Sequence, residues 1–201
     1  MPQEFVKKPM TSARDRIVLA AWDLFHEHGL DGTSVDDILK QSETGKSQFY
    51  HYFGSKDGLV HAMLEEARKL IKGGQIEGVG PIETWEDLKG WFTSFLDKMQ
   101  YYNFCRSCPL GRFAAELSPE DEAIRKDVLL VFETKKQFPK DFFVKLKARG
   151  ELKENADPDE LADFCLTVLQ GGGILSKLYR EEKQLKQAVD HAYAYLQTFR
   201  V

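Results

Sequence analysis

The amino-acid sequence predicts an all-α fold of about nine helices. Apolar residues recur every three or four positions along most of the chain, which is the spacing of a buried helix face. Residues that begin helices, such as Thr84 and the Asp157-Pro158 pair, and residues that end them, such as Gly29 and Gly150, flank these segments. No segment alternates apolar and polar residues convincingly, so no strand is predicted.

Two helices are predicted before residue 43. The first covers Ser12–His28, and Gly29 follows it as a C-terminal cap. Thr33 or Ser34 begins the second, because an acidic residue follows either of them three positions later. The buried face of this second helix is formed by Val35, Ile38 and Leu39.

A polar turn at Ser42–Gly45 separates the second helix from a third, which runs to about Tyr52. Ser55 then begins a long fourth helix that extends to about Lys72. The glycines between residues 73 and 80 indicate a loop after it.

Five helices are predicted beyond that loop. Thr84 begins one, and a short helix opens at Leu110. Ser118-Pro119 begins the next, in which Pro139 is expected to cause a kink or a split. The last two helices are predicted at about Pro158–Tyr179 and Glu182–Phe199.

The composition is that of an ordinary globular protein, with 42% hydrophobic and 30% charged residues among 201. Three cysteines, an odd number, do not suggest a disulfide framework and favour the reducing cytoplasm. The first ten residues lack the apolar core of a secretory signal. The longest uncharged run, Phe164–Ser176, is too short to span a bilayer, so no membrane association is predicted.

The distribution of charge matters more than the net charge of −4. The segment from Thr44 to Lys56 contains no acidic residue, whereas Lys46, His51 and Lys56 fall within it. A local basic surface of this kind can bind DNA even on an acidic protein, with low nonspecific affinity and a steep dependence on salt.

Thr33–Phe53 has the layout of a helix-turn-helix, in which the second helix enters the DNA groove. Small residues at Gly45 and Ser47 let the first turn of that helix approach base edges. The residues predicted to contact DNA are Thr33, Ser34, Thr44, Gly45, Lys46, Ser47, Gln48, Tyr50, His51 and Lys56.

Different roles are expected of these residues. Gln48 can bond an adenine edge in two places, and Thr44 either offers its methyl group to thymine or caps the helix. Lys46 either binds a phosphate or is a solvated surface charge. Tyr50 and His51 are expected to hydrogen-bond phosphates, although a buried Tyr50 hydroxyl is the alternative.

Helix N-termini add to this predicted surface. Lys56 is expected to meet a phosphate together with the positive end of the fourth helix. Thr33 or Ser34 is expected to do the same at the second helix.

The chain resembles the tetracycline-repressor (TetR) family from Ile17 through Leu59. The matching residues are Ala20-Ala21-x-x-Leu24-Phe25-x-x-x-Gly29, Thr33-Ser34-Val35-x-x-Ile38 and Phe49-Tyr50-x-Tyr52-Phe53-x-Ser55-Lys56-x-x-Leu59. The later element Cys108-Pro109-Leu110-Gly111 is similar to that of one subset of the family. Two departures are Gly45, where many members have a capping Ser, and Ser42-Glu43-Thr44, which replaces a small-Gly-Val turn.

The resemblance implies a helix-turn-helix DNA-binding domain over residues 1–60 and a ligand-binding and dimerisation domain over residues 61–201. It also implies a homodimeric repressor of a palindromic double-stranded DNA operator. A small hydrophobic or reactive effector, of unknown identity, would bind the C-terminal domain and change the spacing of the two recognition helices.

The resemblance places the dimer interface on the last two helices. Three consecutive glycines, Gly171–Gly173, cost about 1 kcal/mol each in a helix, which close approach of a partner helix would justify. A local break of the helix is the alternative. The residues predicted for the interface are Leu169, Gly172, Gly173, Leu178, Ala188, Ala192 and Tyr195.

Aromatic residues are concentrated between Trp85 and Phe143 and can enclose an apolar cavity. The alternative for each of them is an ordinary place in the core. The residues predicted to line a ligand pocket are Trp91, Phe95, Tyr102, Cys108, Phe113, Phe132 and Phe164.

Cys105 and Cys108 form a Cys-x-x-Cys motif with three interpretations: an oxidant- or electrophile-sensing thiol, half of a zinc site, or structural residues. No second Cys/His pair has metal-ligand spacing, so no metal and no cofactor are predicted. A thiol-based enzyme is the rival hypothesis of a different class. No arrangement of nucleophile, base and acid supports catalysis, so the chain is predicted not to be an enzyme.

Overall fold

The computed structural model describes residues 11–201, and this part of the chain is all-α, as predicted. The same residues also include an isolated antiparallel β-bridge between Leu152 and Arg200. The helices are α1 (Ala13–His28), α2 (Val35–Ser42), α3 (Lys46–Phe53), α4 (Lys56–Lys72), α5 (Trp85–Tyr101), α6 (Pro109–Glu116), α7 (Glu122–Ala148), α8 (Pro158–Tyr179) and α9 (Lys183–Gln197).

Side-chain caps explain why most helices begin where the sequence predicts. Ser12, Ser34 and Thr84 each accept a hydrogen bond from the backbone N–H of the Asp three residues later, and the carboxylate of that Asp accepts one from the backbone N–H of the capping residue. The Asp157 carboxylate caps α8, whose first residue is Pro158. These caps depend on local sequence alone, so they can be recognised without the tertiary structure.

Helix α7 contains Pro139, as predicted, but it begins later than predicted. It begins at Glu122 instead of Pro119, because the N–H and hydroxyl of Ser118 both donate to the Asp121 carboxylate and close a turn there. It also continues through Pro139 without a split. Because proline lacks an N–H, Pro139 removes only one main-chain hydrogen bond from the helix. Phe142 and Phe143, just beyond Pro139, are buried in the core and stabilise this part of the helix.

The chain forms two compact units. Unit 1 contains the described residues up to Glu77 together with Pro109–Phe132, and unit 2 contains Gly78–Cys108 together with Glu133–Val201. The boundary predicted at residue 60, between a DNA-binding domain and a ligand-binding and dimerisation domain, concerns function and stays a prediction.

The core of unit 1 joins α6 to the first helices. Phe113 of α6 is fully buried, stacks on Trp22 at 5.6 Å between ring centroids, and meets Phe25 edge-on at 6.0 Å. Phe25 and Phe49 are also fully buried, so aromatic rings from α1, α3 and α6 belong to the same core.

Polar contacts at the end of α1 reinforce this packing. Arg112 Nη1 donates to the carbonyl oxygen of His26 at 3.0 Å, and Glu116 Oε2 accepts from the Leu30 N–H at 2.7 Å. Arg112 and Glu116 pair with each other at 2.7 Å. The last carbonyls of α1 lack partners within the helix, so a guanidinium satisfies them and complements the helix dipole.

Unit 2 is centred on α5, α8, α9 and the second half of α7. Its fully buried residues include Leu88, Phe92, Phe143, Leu185 and Leu196. Helices α8 and α9 approach closely at Gly172, where a Cβ would lie 3.1 Å from Leu185 Cα and 2.9 Å from its Cδ1. The buried Ser176 hydroxyl accepts from the Leu185 N–H at 2.9 Å and completes this contact.

The neighbouring glycines of α8 provide a matched test of that contact. Gly172→Ala should lower the free energy of unfolding by about 1–2 kcal/mol, because the methyl group meets Leu185. Gly171→Ala should raise it by about 0.5–1 kcal/mol, because a Cβ there meets nothing within 4 Å and alanine favours helix. Urea unfolding at one protein concentration measures both. Equal effects of the two changes would contradict the packing described here.

Candidate nucleic-acid interface

Helices α2 and α3, with the turn between them, form the candidate interface. Phe49 and Phe53 are buried and hold α3 in unit 1. The Arg16 guanidinium donates to the Ser42 carbonyl at 3.2 Å, and the hydroxyls of Ser42 and Thr44 are 2.8 Å apart. The turn is therefore fixed from both sides by polar contacts within the unit.

None of the exposed residues of α3 is acidic. They include Lys46, Ser47, Gln48, Tyr50 and His51. The Tyr50 side chain is 54% exposed, so the alternative of a buried hydroxyl does not hold. Tyr52 is also exposed, at 42%, and sequence reasoning did not include it.

The beginning of α3 is open. Gly45 precedes the helix, and nothing lies within 4 Å of the position its Cβ would take. With no side chain at Gly45 to cap the helix, Gln48 turns back and its Oε1 accepts from the Gly45 N–H at 3.3 Å. A bulky partner can therefore reach the backbone of the first turn.

Lys46 has a partner that the sequence did not reveal. Its ammonium lies 3.0 Å from the Asp36 carboxylate of α2. The hydrogen bond to Asp36, followed by the attraction of its charge, raises the pKa of Lys46 above its ordinary value. The two residues are ten positions apart on different helices, so no local pattern could have paired them.

Three of the predicted contact residues are instead engaged within unit 1. Thr33 is 1% exposed, and its hydroxyl donates to the Gly29 carbonyl at 2.8 Å. Thr44 is half-buried beside Ser42. The Lys56 ammonium donates to the Leu30 carbonyl and lies 6.0 Å from the centre of the Phe25 ring. Ser34, by contrast, is exposed while it caps α2.

The residues predicted for a dimer interface divide into two groups. Those buried within unit 2 are Leu169, Gly172, Gly173 and Ala192, with Ala188 half-buried. Leu178 and Tyr195 are exposed, at 74% and 49%. An exposed apolar stripe does follow α8, at Gly171, Ile174, Leu175 and Leu178, with the spacing of one helix face.

The residues predicted for a ligand pocket also separate. Trp91, Phe95, Tyr102, Cys108 and Phe164 belong to unit 2, and Phe113 is enclosed by Trp22 and Phe25 in unit 1. Phe132 lines a cleft of about 410 Å³ in unit 1. The other residues that line it are Ala114, Leu117, Ser118, Pro119, Arg125, Val128 and Leu129.

The three cysteines are free thiols. Cys105 is exposed and Cys108 is buried at the start of α6. Cys165 is also buried, and burial raises the pKa of its thiol, which makes it unreactive. Among residues 11–201, no group of three His, Cys, Asp or Glu side chains is placed to hold a metal.

Within the same residues, no helix combines the length and the apolar character needed to cross a membrane.

An exposed, acid-free recognition helix behind a fixed turn defines a helix-turn-helix protein, and comparison with known proteins places it more closely. Residues 17–63 match the family described as bacterial regulatory proteins, tetR family, and residues 85–192 match the tetracyclin repressor-like C-terminal domain. The chain belongs to the TetR family of transcriptional regulators.

Individual relatives agree with this assignment. The transcriptional repressor DhaR of Mycobacterium sp. (strain GP1) is 28% identical over 88% of each chain. The regulatory protein TetR from Rhodobacter sphaeroides is 25% identical, with a TM-score of 0.76 over 94% of this chain and 99% of that one. A cysteine mutant of the regulator CifR, solved with 26-bp operator DNA, has the same fold, with 23% identity and a TM-score of 0.73 over 94% and 99% of the two chains.

These relatives are transcriptional regulators, not enzymes, so the rival hypothesis of a thiol-based enzyme is not supported.

Proposed function

We propose that this protein is a cytoplasmic, homodimeric repressor that binds a palindromic operator through residues 1–60 and is released by a small effector bound within residues 61–201. The exposed side of α3 is the observation that carries the proposal. It combines hydrogen-bonding side chains, an absence of acid and an open helix start. These features favour DNA recognition, because phosphates repel carboxylates and base edges in the groove are read by hydrogen bonds.

The proposed roles follow from position along α3. Gln48, in the first turn beside the open Gly45, reads a base edge. Lys46, Tyr50 and His51 bind phosphates, and Ser34 and Ser47 contribute hydroxyls at the edge of the surface. The regulator CifR, which shares the fold, was solved with operator DNA, and this supports a DNA-binding role for the fold.

Two substitutions separate these roles. Lys46→Ala should weaken binding to every duplex by a similar factor, because phosphates carry no sequence information. Gln48→Ala should leave nonspecific binding nearly unchanged but reduce discrimination at one base pair by about 1–3 kcal/mol. Duplexes selected from random-sequence DNA by the wild-type protein, titrated at fixed salt, measure both.

Lys183→Ala is the control, because it removes the same charge from an exposed position at the start of α9. If Lys46→Ala behaved like Lys183→Ala, Lys46 would lie outside the interface.

The exposed stripe of α8 is the proposed dimer interface. Leu178 is the most exposed of its residues at 74%, and large exposed apolar stripes mark association surfaces. Gly172 and Gly173 serve contacts within the protomer, whereas a Cβ at Gly171 would have no atom of the protomer within 4 Å.

Leu178→Glu should therefore convert a dimer into monomers, because the carboxylate would have to be buried unpaired. Sedimentation or light scattering measures the change. Val144→Glu, at an apolar residue of α7 that is 47% exposed, is the matched control and should leave the mass unchanged. A wild-type protein that is monomeric at all concentrations would contradict the proposed interface.

The cleft between α6 and α7 is the proposed effector site. Its volume of about 410 Å³ suits a small molecule, and its lining is mostly apolar but includes Arg125, whose guanidinium pairs with Glu122. We also propose that the chain belongs to the subset with a Cys-Pro-Leu-Gly element. Pro109 and Leu110 of that element lie in the first turn of α6, and Ala114 of the same helix lines the cleft.

A thermal-shift panel of hydrophobic and electrophilic compounds tests this site. A compound that binds should raise the melting temperature of the wild type, because it binds the folded state alone. Ala114→Phe, which places an aromatic ring in the cleft, should reduce or abolish the rise. A rise that survives in Ala114→Phe would place the effector elsewhere, for example among the aromatic residues of unit 2.

A further inference from the structure

Asp36 is an acidic residue at the edge of a surface proposed to bind a polyanion. It lies in the first turn of α2, and its carboxylate is 3.0 Å from the Lys46 ammonium, with the two side chains 72% and 67% exposed. Lys46 is thus already paired with a carboxylate in the free protein. We propose that Asp36 competes with DNA phosphate for Lys46 and so lowers the affinity of the interface for any duplex.

This inference rests on the proposed DNA-binding function and deepens it. The pair is exposed, so the carboxylate holds the ammonium weakly and a phosphate can displace it. Displacement leaves Asp36 with its charge uncompensated beside the DNA. The net gain from the Lys46–phosphate contact is therefore smaller than that of a free lysine.

The competition also changes the dependence on salt. A free lysine that neutralises one phosphate releases about 0.9 of a condensed counterion. When the lysine must first leave a carboxylate, that carboxylate attracts a cation from solution once it is free. The net number of cations released is therefore smaller. Weak nonspecific binding is useful to an operator-binding protein, since the genome offers an excess of competing sites.

Asp36→Asn should accordingly bind a short random-sequence duplex roughly two- to fivefold more tightly at low salt. The plot of log affinity against log salt should become steeper by up to about one. Fluorescence anisotropy of a labelled duplex at a series of salt concentrations measures both quantities on the full-length protein.

Two further variants identify the cause. In a Lys46→Gln background, Asp36→Asn should produce a much smaller gain, because there is no ammonium to compete for. An equal gain in both backgrounds would show simple repulsion and overturn the proposal. Glu86→Gln, at an exposed residue in the first turn of α5, removes the same charge and should leave binding unchanged.

The remaining outcomes are equally decisive. If Asp36→Asn binds no more tightly than wild type, Asp36 does not compete for Lys46. If the wild type binds no duplex even at low salt, it is the proposed DNA-binding function that fails. Thermal melting of each variant confirms that it is folded.

Discussion

The contact between α6 and α1 is the interaction on which the recognition surface depends. Phe113 is enclosed by Trp22 and Phe25, and Arg112 and Glu116 satisfy the end of α1 and the turn after it. Helices α2 and α3 pack against α1 within the same unit. Because protein cores are densely packed, a displacement of α1 moves the recognition helix with it.

Helix α6 also belongs to the proposed effector cleft. Ala114 lines the cleft, and its neighbour Phe113 occupies the aromatic site on α1. A ligand between α6 and α7 therefore acts on the helix whose other contacts fix α1. The ligand can shift the equilibrium between two positions of α1 only by its difference in affinity for the two corresponding arrangements of α6.

The sequence predicted what depends on neighbouring residues and missed what depends on distant ones. Capping residues and helical spacing were enough for the fold class and for most helix boundaries. The position of Phe113, by contrast, depends on α1, more than eighty residues earlier, so an aromatic residue expected in a pocket is a core residue instead. Likewise, sequence spacing alone does not show which neighbour each of the three consecutive glycines of α8 faces. In the structure, Gly171 is the one that has no atom within 4 Å of the position of a Cβ.

The turn between α2 and α3 contains a second acidic residue, Glu43, whose conformation costs stability. Glu43 ends α2 with φ 52° and ψ 48°, a left-handed conformation that costs a residue with a Cβ about 1–2 kcal/mol. Glycine would adopt this conformation without strain, yet the chain has an exposed carboxylate there. Glu43 thus adds negative charge in the turn before α3, as Asp36 does on α2. If α3 binds DNA as proposed, this charge opposes indiscriminate binding, and close contacts from Gln48 and its neighbours supply the affinity for a specific site.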